Sequence, residues 1–172
     1  MLDINIIDDY FVIKNINRDS IKNIYSIYKN TCDFKYATGF FYSVEYNQFS
    51  QHITQFITRK NVFFCDIYLV STGETIGLVK GLVVDKDKIV WINSLIINKQ
   101  YQKKGYGKRV MELLEDYLKQ KCNIEKNYLS VYKTNVAGIN FWYKCGYSNC
   151  DYLSKMASEK SNNSIQFMWK IL

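Results

Sequence analysis

Proline is absent from all 172 positions, so no proline-rich linker divides the chain. Histidine occurs once, at His52, which leaves zinc ligation or histidine-based catalysis almost nothing to build on. His52 reads instead as a helix-surface side chain. The five cysteines, Cys32, Cys65, Cys122, Cys145 and Cys150, are odd in number and never spaced as CxxC. Reduced thiols in a cytoplasmic protein are the simplest account, and no metal site is expected. Long apolar runs are missing too. The longest, Ile89 to Ile97, falls well short of the ~20 residues a helix needs to cross a bilayer. The first residues, MLDINIIDDYF, carry acids where a signal peptide needs a basic start. The expectation is a cytoplasmic protein with no membrane segment. Two nucleotide motifs are also lacking: there is no GxxxxGK[ST], and the third glycine of GxGxxG would fall at Val110.

What is present is ordinary globular material, 48% hydrophobic and 23% charged, enough for one domain over residues 1–172. Lysine and arginine exceed the acids by seven, which suits an anionic partner: a nucleotide cofactor, nucleic acid or an acidic surface. Nucleic acid is the weakest of these, because the lysines are dispersed and no RNP-like or zinc-finger motif accompanies them.

Periodicity sets the order of elements. Tyr10 to Lys14 reads as a strand. Asn17 to Ser20 supplies capping residues for a helix with Ile21, Ile24, Ile27 and Tyr28 on one face. An aromatic-rich region from Phe34 to Tyr46 precedes a second helix near Gln48 to Thr58. Three strands follow, Val62–Val70, Thr75–Val84 and Ile89–Ile97, joined by short polar links that indicate antiparallel hairpins. Gly77 and Gly81 mark bulges or close backbone approach. From Tyr106 the period lengthens, with Val110, Leu113, Leu114, Tyr117 and Leu118 forming a helical stripe. A strand at Tyr128–Tyr132, a helix at Asn135–Lys144, a polar stretch to Ser164 and a strand at Ile165–Ile171 complete the chain. The strands flanking the long helix should be parallel. The fold class is therefore α/β (α+β): a mixed, mostly antiparallel sheet of six to seven strands with helices on both faces.

The chemistry concentrates where the Ile89–Ile97 strand hands over to that helix. Gln102-Lys103-Lys104-Gly105-Tyr106-Gly107-Lys108 combines two glycines with three lysines at a helix N-terminus. A pyrophosphate needs several N–H groups converging on it, from backbone not shielded by Cβ atoms. The helix adds orphan amides and about half a positive charge. The plain alternative is a turn with solvated lysines.

Gln102 to Gly107 resembles the Q/R-x-x-G-x-G/A signature of the GNAT acetyltransferase superfamily. Asn135, Gly138, Phe141 and Gly146-Tyr147 resemble its later N-x-x-A-x-x-F-Y-x-x-x-G-F pattern, in the expected order and spacing. The resemblance implies a GNAT-like domain that binds acetyl-CoA as co-substrate, in a cleft where the family's fourth and fifth strands splay apart. Main-chain groups around Leu95, Ile96 and Ile97 would pair with the pantetheine. The backbone from Gln102 through Lys103, Lys104, Gly105, Tyr106 and Gly107 to Lys108 would hold the pyrophosphate. Asn135 would contact the cofactor, or serve as a simple helix cap, or both.

One position departs from the pattern. Where the family carries a tyrosine that protonates the departing thiolate, this chain has Trp142, whose indole is no usable acid. Trp142 is expected to pack against the cofactor. Tyr143 is the neighbouring candidate acid, although one residue along a helix turns a side chain by roughly 100°. Trp91 aligns where some members carry a glutamate base, and Asn93 and Ser94 are polar interruptions suited to ordering a water. Phe34, Tyr36, Phe40, Phe41 and Tyr42, with Gly39, offer an aromatic wall for an acceptor or a satellite core.

The leading expectation is an N-acetyltransferase that moves acetyl directly to a primary amine, either a small molecule or a polypeptide N-terminus. The protein would be a monomer or homodimer. A non-catalytic acyl-CoA-binding module is the alternative, and a basic nucleic-acid-binding protein the weaker one.

Overall fold

The architecture is that of a computed structural model describing residues 1–17, 20–29, 36, 45–159 and 164–172. Strands β1 (Asn5–Ile7) and β2 (Phe11–Asn15) form a hairpin, and helix α1 (Ser20–Lys29) follows. Asn17 caps α1 through its Oδ1, which accepts the Ser20 amide at 2.9 Å. Arg18 and Asp19 lie outside the described residues. Helix α2 (Tyr46–Ile57) precedes a meander of β3 (Val62–Leu69), β4 (Thr75–Val84) and β5 (Ile89–Ile97). Helix α3 (Tyr106–Cys122) then crosses over to β6 (Lys126–Tyr132), which pairs with β5 in parallel as the β-α-β pattern requires. Helix α4 (Val136–Lys144), β7 (Ser148–Asn149), α5 (Asp151–Glu159) and β8 (Ile165–Ile171) finish the chain. The strands form one mixed sheet in the order β1-β2-β3-β4-β5-β6-β8-β7.

Alternation along the strands sends apolar side chains to both faces. Phe63, Cys65, Ile67, Val90 and Ile92 meet the α3 stripe of Val110, Met111, Leu114 and Leu118 on one face. Phe64, Leu78 and Ile96 meet Ile21, Ile24, Phe49 and Ile53 of α1 and α2 on the other. Each fully buried aliphatic or phenyl side chain contributes about 1.5–3 kcal/mol, so both helical layers are held mainly by this contact.

The described residues form eight strands where about six to seven are expected, and three elements escaped periodicity. Strand β1 has only three residues and exists through its pairing with β2, aided by Asp8, whose Oδ1 accepts the Tyr10 and Phe11 amides. Strand β7 is two residues long and is defined by its register with Met168 and Trp169. Helix α5 falls within the segment read as a polar stretch, and its Tyr152 and Met156 remain exposed.

Candidate active site

The sheet opens at one place. Strands β5 and β6 pair from Ile89↔Lys126 to Ile92↔Leu129 and then part. Each is still held on its outer side: β5 pairs with β4 as far as Ile97↔Gly77, and β6 with β8 as far as Tyr132↔Ile165. The segment Asn93–Ile97 therefore presents an unpaired edge towards β6. A bulge sits at the point of divergence, because Lys80 opposes Ser94 while Gly81 opposes Ile92, leaving Asn93 as the extra residue. A bulge bends its strand and increases the local twist, which accounts for the parting. Asn93 is exposed and Ser94 buried, so the two polar interruptions have separate surroundings. Ile96 is buried against α1 and α2 and Ile97 against α3; their main chain, not their side chains, forms the edge.

That edge leads into the glycine turn. The Gln102 side chain reaches back, its Nε2 donating to the Ile97 carbonyl at 2.8 Å and tying the turn to the strand end. Lys103 and Gly105 both hold left-handed backbone, at φ 60° and 81°. A Cβ at Gly105 would meet no atom within 4 Å, so conformation rather than crowding calls for glycine there. The Gln102 amide donates to Lys99 and the Arg109 amide to Gly105; between them, no main-chain N–H finds an acceptor among the described residues. Six consecutive donors at a helix start, two flanked by left-handed residues, make a concavity suited to an anion.

The lysines differ in their surroundings. Lys103 is exposed, Lys104 places its Nζ 5.4 Å from the centre of the Tyr101 ring, and Lys108 Nζ lies 3.7 Å from Glu112 Oε1. Tyr106 turns its ring edge-on to Phe11 at 5.3 Å, leaving only its main chain to the turn. Gly107 has a packing reason to be glycine as well. A Cβ there would stand 3.1 Å from the Phe141 ring and 3.5 Å from Ile97 Cγ1, so the missing side chain lets α3 pack against α4 and β5.

The second motif is structural in what it touches. Asn135 caps α4, its Oδ1 accepting the Gly138 amide at 3.0 Å. Trp142 is only 9% exposed and packs edge-on between Phe141 and Tyr147 in the core. Tyr143 points the other way, as helical geometry demands; it is 45% exposed, and its hydroxyl donates to Asn149 Oδ1 at 2.7 Å. Asn149 belongs to β7, and β8 and β6 stand between β7 and the open edge of β5. The structure thus brings the 95–97 edge and the 102–108 turn together and leaves the Tyr143 hydroxyl at the far side of the sheet.

Trp91 stacks on Tyr128 with ring centres 5.3 Å apart, and Tyr36 lies 5.8 Å from Tyr132. Phe34, Gly39, Phe40, Phe41 and Tyr42 lie outside the described residues. His52 is on the exposed side of α2. No group of histidine, cysteine and acidic residues suited to a metal occurs among the described residues.

A buried polar cluster braces the β6 side, and sequence reading missed it. Lys170 Nζ donates to Glu115 Oε2 at 2.5 Å, the Tyr147 hydroxyl donates to Glu115 Oε1 at 2.6 Å, and Asn127 Nδ2 donates to both Glu115 and the Tyr147 oxygen. Burial first, then the Glu115 charge, pushes the Tyr147 phenol well above its ordinary pKa. The available signal was tyrosine at a position where the family pattern has phenylalanine. Its extra hydroxyl joins α3, β6 and β8, the elements that form one wall of the opening.

A model of the acetyltransferase (GNAT) family matches residues 21–147. A probable spermine N(1)-acetyltransferase from Bacillus subtilis subsp. natto is 30% identical over 91 residues, 49% of this chain and 60% of that protein. The chain thus spans about 60% of the length of the curated relatives it matches. Among solved structures, spermidine N-acetyltransferase from Vibrio cholerae in complex with CoA and spermine superposes with a TM-score of 0.77 at 15% identity, covering 95% of this chain and 96% of that one. FdhC, a nucleotide-linked sugar GNAT in its apo form, superposes with a TM-score of 0.78 at 15% identity, over 99% and 91%.

Proposed function

Because the chain belongs to the acetyltransferase (GNAT) family, we propose that it is an N-acetyltransferase using acetyl-CoA as co-substrate and a primary amine as acceptor. One observation carries the reading: the unpaired 93–97 edge of β5 leads, through the short turn 98–102, to six amides that find no acceptor among the described residues. The edge offers main-chain donors and acceptors to an extended amide-bearing arm, in the manner of an added strand. The amides of residues 103–108, with Lys103, Lys104 and Lys108 around them, suit a pyrophosphate. When bound, acetyl-CoA supplies an acetyl group already activated as a thioester.

The residues of this chain then position rather than react. In this reading the incoming amine nitrogen enters the opening between β5 and β6 beside the bulge at Asn93. Transfer is direct, the amine needing only to lose its proton to water before it attacks. A thiolate, whose parent thiol has a pKa of about 8.5, leaves without a dedicated acid. Tyr143 is therefore not required as a proton donor in this reading. With Trp142 seated in the core, its replacement of the family tyrosine gives no reason to prefer a non-catalytic module. A reducing, cytoplasmic setting, in which Cys65, Cys122, Cys145 and Cys150 stay as thiols, belongs to this reading. The acceptor in this reading is a small molecule, and the protein acts as a monomer or homodimer.

Thiol release from acetyl-CoA, measured against a panel of primary amines, tests the proposal. At least one amine should give turnover above background hydrolysis. CoA binding without thiol release from any amine would refute transfer.

A further inference from the structure

On the sheet face that carries α1 and α2, three aromatic side chains stand in register across three strands. Trp91 opposes Tyr128 and Tyr128 opposes Trp169. The rings stack at 5.3 Å and 29° in the first pair and at 6.1 Å and 21° in the second. Phe167 adds an edge 6.1 Å from Trp91. All four rings are partly exposed. The α1 and α2 cluster borders this floor over β3 to β5, and α5 borders it at β8, where Ser154 Oγ accepts the Phe167 amide.

The floor adjoins the site described above. Trp91 lies one residue before the last β5–β6 pair and two before the bulged Asn93, a rise of roughly 7 Å along the strand. Its charge is equally informative. The residues of β4, β5, β6 and β8 that share this face include two lysines, Lys80 and Lys126, and no carboxylate. Lys80 opposes Ser94 beside the bulge, with its Nζ between 5.5 and 5.9 Å from the ring centres of Tyr28, Phe56 and Phe64. On the described residues of these four strands a polycation meets like charge and no carboxylate, whereas a flat apolar body finds aromatic partners.

We infer that this floor receives the body of the acceptor, and that the acceptor is a primary monoamine on a short arm attached to an aromatic ring. The inference rests on the acetyltransferase reading and sharpens it. It parts from the polyamines named for the relatives. The ring stacks on Trp91 and Tyr128, and the arm carries the nitrogen towards Asn93. In the transfer the neutral nitrogen forms a C–N bond to the acetyl carbon and the C–S bond breaks with its electron pair on sulfur. The surplus proton on nitrogen passes to water.

The test compares 2-phenylethylamine and tryptamine with spermidine by thiol release, in wild type and in Trp91→Ala, Trp91→Phe and Trp169→Leu, with CoA affinity and oligomeric state measured in parallel. The aryl amines should show kcat/KM at least 10-fold above that of spermidine. Trp91→Ala should raise their KM about 10-fold or more at unchanged CoA affinity, and Trp91→Phe should recover much of that loss. Should Trp91→Ala fail to fold, Trp91→Phe and Trp169→Leu still report on the floor. Preference for spermidine overturns this inference while leaving the acetyltransferase standing. Thiol release from no amine at all overturns both. A dimer that dissociates in the variants while the KM for aryl amines stays constant assigns the floor to a second copy and overturns the inference.

Discussion

Replacing Gly105 and Gly107 separately distinguishes an anion cradle from a packing contact, because the two glycines are glycine for different reasons. At φ 81°, alanine at Gly105 carries a left-handed backbone cost of about 1–2 kcal/mol. For a chain of this size that corresponds to a fall in Tm of roughly 2–8 °C. The new methyl meets no atom within 4 Å, so nothing in the fold is crowded. If the residue 103–108 amides hold a phosphate, the added methyl and the strained backbone disturb that cradle. Losing two N–H to phosphate bonds at about 1.5 kcal/mol each removes ~3 kcal/mol of binding, or roughly 100-fold in Kd. Gly107→Val behaves in the opposite way. Its Cβ is pressed against the Phe141 ring at 3.1 Å, and the overpacking costs about 1–3 kcal/mol of stability. Its effect on affinity comes only through displacement of α3. Thermal unfolding and calorimetric titration with CoA read the two quantities separately. A folded Gly105→Ala protein that binds CoA within twofold of wild type would refute the cradle.

Three further outcomes follow from the same geometry. Neutral replacement of Lys103, Lys104 and Lys108 should weaken CoA binding, and wild-type affinity should fall as salt rises; equal, salt-insensitive affinities for CoA and dephospho-CoA would mark these lysines as a solvated face. Tyr143→Phe should leave turnover within a few-fold of wild type, since its hydroxyl is engaged at Asn149; a drop of ~100-fold with a changed pH–rate profile would make it the acid after all. The folded protein holds the Tyr147 proton to higher pH than the unfolded chain does. Below pH 10 both states keep that proton; above it the unfolded chain loses it first, so stability falls with pH by up to ~1.4 kcal/mol per unit. Urea titrations between pH 8 and 11 should show this fall, less steep in Tyr147→Phe, and identical slopes in the two proteins would contradict it.

Local periodicity and local chemistry were enough for much of this protein. The stripe from Tyr106 to Leu118, the polar links of the meander and the glycine turn each declare themselves within a few residues. A helix needs only a repeating apolar face, and a hairpin only a short polar connection. Even the parallel pairing of β5 with β6 follows from one helical crossover. What tertiary structure alone decided is whatever depends on register between distant segments. The parting after Ile92 and Leu129 arises from a single bulged residue at Asn93, and no local pattern announces which residue will be the extra one. That Gly107 also leaves room for Phe141 shows only when that ring, far along the chain, is placed against it. Adjacent Trp142 and Tyr143 are separated by helical rotation into the core and the surface. Trp91, Tyr128 and Trp169 are unremarkable in three separate strands and become one surface only when pairing aligns them, because contact across a sheet is a property of register rather than of any one strand.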